Sequence, residues 1–115
     1  MIDLSRQPVG TRVLIECPDW VYDIEYLGPG PNTTLEVRVT TADPEFMNEW
    51  RNCLFVGSVH LSLEPSEGLT EHLFEILPFG RMTFVLKNGA IVTQTEPVLS
   101  AVLIGKDYEY EVFKT

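Results

Sequence analysis

Ser58 and His60 stand two residues apart in the run 53 to 63. There Cys53, Phe55, Gly57, Val59, Leu61 and Leu63 alternate with Leu54, Val56, Ser58, His60 and Ser62. A strand over this run projects the serine and the histidine from one face. That pairing is the smallest unit of nucleophilic catalysis, with the imidazole taking the hydroxyl proton. No Gly-x-Ser-x-Gly elbow accompanies it. Ser58 and His60 therefore mark a hydrolytic or small-ligand site only if a pocket forms and groups such as Asp23 and Glu25 converge on it.

Carboxylates form the second constellation. Asp19, Asp23 and Glu25 lie close together, and Asp23 and Glu25 share one face of an alternating run. Their separation there is roughly 7 Å at about 3.3 Å rise per residue. Such a pair could do acid–base work or hold a hard cation, but glycosidase chemistry also needs a cleft and a raised pKa. No Asp-x-Asp-x-Asp-Gly calcium loop is present. The simpler reading is a solvated acidic face. Of the soft ligands Cys17, Cys53, His60 and His72, no two lie within five residues of each other, whereas zinc sites favour closely spaced pairs. In Gly28-Pro29-Gly30-Pro31, prolines occupy positions where a phosphate loop needs amide donors. No metal and no cofactor is expected.

Charge gives the acidic face its context. Residues 16 to 75 hold twelve acidic residues against two basic ones, Arg38 and Arg51, in a chain of net charge −9. The expected acidic flank repels phosphate and attracts cationic partners, which argues against nucleic acid. Trp20, Tyr22, Tyr26, Trp50, Tyr108 and Tyr110 are candidate interface anchors. Aromatics on strand faces usually build the core, however, and most of these are assigned there. Trp50 follows acidic residues in a short helical piece and is the expected surface anchor. The expected binding residues are thus Asp19, Asp23, Glu25 and Trp50, facing a basic protein partner.

The elements that must position these groups read mostly with period two. Residues 12 to 17 form a first strand ended by Pro18. In residues 20 to 27, Trp20, Tyr22, Ile24 and Tyr26 alternate with Val21, Asp23, Glu25 and Leu27. Gly28 to Asn32 reads as a turn, and Leu35, Val37 and Val39 alternate with polar neighbours in a return strand. Asp43 caps a short helical piece opened by Pro44, and 70 to 77 is either a second such piece or an extended connection. Gly57 suggests a bulge or bend. Asn88-Gly89 predicts a two-residue type I′ hairpin, which sets Leu86 against Ile91 and Phe84 against Thr93. Val98 to Ile104 is apolar on both faces and is expected to be covered on both sides. Tyr108, Tyr110 and Val112 alternate with Glu109 and Glu111 in a last strand.

The segment Phe84 to Val92 superficially resembles the first motif of Sm-like RNA-binding barrels. It departs from that family where Gln94 replaces the usual glycine and where the motif's downstream Asp and Asn have no counterpart.

The fold expected is all-β: one domain over residues 1 to 115, a small antiparallel barrel or sandwich of about seven strands with one or two short helices. Met1 to Arg6 lacks a basic stretch followed by an apolar run, and no stretch is long enough to span a bilayer. A cytoplasmic location without membrane attachment is expected. The preferred function is a non-catalytic protein-interaction module using an acidic surface. Alternatives are a small-ligand-binding or hydrolytic barrel near Ser58 and His60, and a structural homo-oligomer paired through the terminal strand Tyr108 to Phe113.

Overall fold

A computed structural model describes residues 3–46, 54–64, 81–94 and 97–114. Its strands are β1 (Arg12–Glu16), β2 (Val21–Pro29), β3 (Leu35–Thr41), β4 (Phe55–Glu64), β5 (Arg81–Val85), β6 (Ile91–Gln94), β7 (Ser100–Ile104) and β8 (Glu109–Lys114). Two single 3-10 turns, Leu4–Arg6 and Pro44–Phe46, are the helical pieces among the described residues. The eight strands form one sheet in the order β6-β5-β4-β3-β2-β1-β7-β8, antiparallel throughout. The all-β expectation is met, with eight strands in a curled half-barrel in place of about seven.

Alternation decides which side chains enter the half-barrel. In β2, Tyr22, Ile24 and Tyr26 are buried while Val21, Asp23 and Glu25 face outward. Val13 and Ile15 of β1, Val37 and Val39 of β3, Val59 and Leu61 of β4, and Phe84 of β5 join them inside. Tyr22 and Phe84 stack with ring centroids 5.7 Å apart. Phe46 meets both rings, at 6.0 and 5.0 Å, and Phe55 lies 5.2 Å from Phe46.

The curl follows from connectivity. β6 is one edge of the sheet, yet β7 pairs with β1 near the other edge. Residues 95–99 join the two, a length that reaches about 20 Å at full extension. The β6 edge must therefore bend back toward β1. The meeting point is visible: Gln94 Nε2 lies 3.2 Å from Cys17 Sγ, just past the end of β1, and Leu99 N–H donates to Glu16 O at 2.7 Å.

The Asn88-Gly89 hairpin forms with a different loop from the one expected. Gly89 N–H donates to Leu86 O and Leu86 N–H to Ala90 O, both at 2.9 Å. Gly89 is at φ +87, while Asn88 is not among the residues with positive φ. This is a three-residue loop, a turn followed by a left-handed glycine. The register slips by one residue, so Phe84 faces Val92 and Thr83 faces Thr93. Because a one-residue slip exchanges the two faces of a strand, Val92 and Gln94 are buried and Ile91 is 68% exposed. The slip is what sends the Gln94 amide to Cys17.

Other departures are smaller. β2 runs through the expected turn to Pro29, with a bulge between Tyr26 and Gly28. The reversal comes later, where Thr34 N–H donates to Pro31 O and both Asn32 and Thr33 have positive φ, +53 and +58. Gly57 is neither bulge nor bend: it pairs in regular register with Val39, and a Cβ there would lie 2.9 Å from the Phe55 ring. Asp43 and Pro44 open their turn as expected, with Asp43 Oδ1 accepting from Glu45 N–H at 2.9 Å. In the run from Val98, Val98, Ala101 and Leu103 are buried and Val102 and Ile104 are half-buried. The expected second helical piece at 70 to 77 lies outside the described residues, as do Trp50, Cys53 and His72.

Two substitutions probe these positions by urea denaturation. Gly57→Ala should lower stability by about 1–3 kcal/mol, because Phe55 must leave its contact with Phe46 to admit the methyl group. Thr33→Gly should raise stability by up to about 1 kcal/mol, because a β-branched residue is costly at positive φ.

Candidate functional site

The convex face of the sheet carries the expected acidic pair in an unexpected state. Strand register sets Arg12 opposite Glu25 and Glu25 opposite Arg38. Arg12 reaches diagonally to Asp23, Nε to Oδ1 at 3.1 Å and Nη2 to Oδ2 at 2.6 Å. Arg38 Nη1 donates to Glu25 Oε1 at 3.2 Å. Asp23 and Glu25 thus share a face, and each is neutralised by an arginine. The Asp23 carboxylate raises the Arg12 pKa above its ordinary value, first by its hydrogen bond and then by charge attraction. Both pairs are solvent-accessible and fork-like or single contacts, so each stabilises the fold by about 1 kcal/mol at most.

Asp19 is exposed in the β1–β2 turn. Glu16, Glu36, Glu45, Glu109 and Glu111 are exposed as well, and none of these six carboxylates belongs to an ion pair among the described residues. Trp50 falls outside the described residues.

Ser58 and His60 also lie on the convex face, Ser58 opposite Arg38 and His60 opposite Glu36. Together with Glu36 and Lys87 they line a depression of about 280 Å³. Asp23 and Glu25 do not line it. No hydrogen bond links Ser58, His60 and Glu36 among the described residues. The serine and histidine are neighbours without the contact that would activate the hydroxyl.

A buried polar chain at the base of the half-barrel escaped sequence reasoning. Trp20 Nε1–H donates to Tyr22 Oη at 2.9 Å, and Tyr22 O–H donates to Asp43 Oδ2 at 2.6 Å. Asp43 N–H in turn donates to Thr41 Oγ1 at 3.2 Å. Tyr22 is 0% and Asp43 3% exposed. Burial, and then the bond to Asp43, push the Tyr22 phenol far above its ordinary range. This chain seats the Pro44–Phe46 turn over the aromatic core, and its enclosure makes it structural. The Asp-Pro pair signalled the cap; the depth of Asp43 depends on the curl and left no local sign.

Most aromatics are expected in the core, and the last two tyrosines are not there. Tyr108 is 49% and Tyr110 54% exposed. They flank or belong to β8, the edge strand beyond β7. The Tyr108 ring rests on Gly105, where a Cβ would collide with it, and its hydroxyl donates to Gln7 Oε1 at 3.2 Å.

Among the described residues no helix is long and apolar enough to cross a membrane. Comparison with protein families, curated proteins and solved structures gave no match.

Tyr22 supplies a pH test. A phenol whose pKa is higher folded than unfolded stabilises the fold fully below about pH 10, the unfolded value, and this contribution is lost as pH rises above it. Stability measured by urea titration should therefore fall above about pH 10. Tyr22→Phe should cost about 1–3 kcal/mol at neutral pH, by removing the donor to Asp43 Oδ2, and should flatten the alkaline fall.

Proposed function

We propose that this protein is a non-catalytic interaction module that meets a basic protein partner through exposed carboxylates. One arrangement supports the reading. On the convex face the arginines Arg12 and Arg38 are both taken up by Asp23 and Glu25, while Glu16, Asp19, Glu36, Glu45, Glu109 and Glu111 stay exposed without an ion-pair partner among the described residues. The field left at the surface is negative, and it favours encounter with Lys- and Arg-rich partners. Within the expected binding set, Asp19 is the carboxylate open to such a partner, whereas Asp23 and Glu25 would first have to release their arginines.

The alternative of a small-ligand or hydrolytic site is favoured by the depression shared by Ser58, His60 and Glu36. It requires His60 to swing onto Ser58, a contact absent among the described residues.

Binding to a basic protein partner, followed by fluorescence anisotropy, tests the proposal. Affinity should fall steeply between about 0.01 M and 1 M salt, as the Debye length shrinks from about 30 Å to 3 Å. Asp19→Lys should weaken binding and His60→Ala should leave it unchanged. Affinity independent of salt, or lost with His60→Ala alone, would rule out the electrostatic contact.

A further inference from the structure

We infer that the β8 edge is a strand-acceptor site for an extended basic segment, one that alternates Lys or Arg with apolar residues. The inference rests on the proposed acidic interaction module and names the place and the form of the contact. β8 ends the sheet order and pairs only with β7 among the described residues. Its hydrogen-bond phase can be read from the turn before it. Gly105 and Tyr108 are opposed, and Gly105 N–H donates to Tyr108 O at 2.9 Å. The register continues as Ile104 opposite Glu109, Leu103 opposite Tyr110 and Val102 opposite Glu111. Antiparallel ladders alternate bonded and non-bonded pairs, so Tyr110 is bonded to β7 while the main-chain N–H and C=O of Glu109 and Glu111 point away from the sheet. The residues with an open backbone are the two glutamates.

The side chains around that open backbone select the occupant. Glu109 and Glu111 stand opposite Ile104 and Val102 on the convex face and are exposed. Tyr110 stands opposite Leu103 on the other face and is half-exposed. An added strand would place alternate residues beside the two carboxylates, where opposite charges pair favourably across strands. The residues between would lie beside Tyr110, where apolar side chains suit the ring. A second copy of the chain fits poorly, because antiparallel self-pairing of β8 sets glutamates beside glutamates. Edge strands are often protected by proline, which would remove the outward N–H. β8 has none. Its single irregularity, where Val102 pairs with Glu111 and Ala101 with Phe113, ends the regular edge at Glu111 and keeps the acceptor short.

The probe is a fluorescein-labelled peptide of alternating Lys and Val, with alternating Glu and Val as its control, titrated into the full chain. The Lys-Val peptide should bind and the Glu-Val peptide should not. Glu109→Lys combined with Glu111→Lys should weaken the first by about tenfold or more and admit the second. Glu109→Pro, which removes an outward N–H without touching the bonds to β7, should weaken binding while the circular dichroism spectrum stays unchanged. If the Lys-Val peptide binds the wild type and both variants equally, the β8 assignment is overturned while the acidic interaction reading stands. If it binds none of them up to about 1 mM, both are overturned. Concentration-dependent dimers abolished by Glu109→Pro would overturn the basic-strand assignment in favour of self-pairing.

Discussion

Five residues between β6 and β7 constrain everything else in this fold. They must carry the chain from one edge of an eight-stranded sheet to a strand beside β1, so the sheet has to curl. Once it curls, the inner faces of β1 to β7 share one apolar interior, with Tyr22 stacked on Phe84 and Phe46 wedged against both. The Cys17–Gln94 contact marks where the far edge arrives. The same closure buries Asp43, whose carboxylate accepts from Tyr22 and from the Glu45 amide.

The curl also sorts the outer elements. β7 and β8 continue the sheet past β1, and β8 is its last strand. Its alternation of Tyr and Glu resembles that of a half-buried strand, yet only Val112 packs against the core among its described side chains. Tyr108 finds a resting place on Gly105, and Tyr110 stays half in water. On the convex face, cross-strand register does equivalent sorting for charge. Arg12 and Arg38 fall beside Asp23 and Glu25 and neutralise them.

The Asn88-Gly89 hairpin shows how a local signal can be right about the turn and wrong about the register. Met82, Phe84 and Leu86 point inward in either register. The difference lies wholly in the partner strand, where Ile91 and Thr93 exchange faces with Val92 and Gln94. Both pairs hold one apolar and one polar residue, so the sequence offered little preference. The three-residue loop places Gln94 against Cys17 across the closing edge.

From the sequence alone came the all-β class, the inward set of β1 to β5, the Asp43–Pro44 turn and the shared face of Asp23 and Glu25, since each depends on alternation or on a cap a few residues long. Tertiary structure alone decided the neutralisation of that acidic pair, the burial of Asp43 and the exposure of Tyr108 and Tyr110. Each of these depends on which strands become neighbours, and strand order is set by closing one interior around short connections rather than by any residue's local preference.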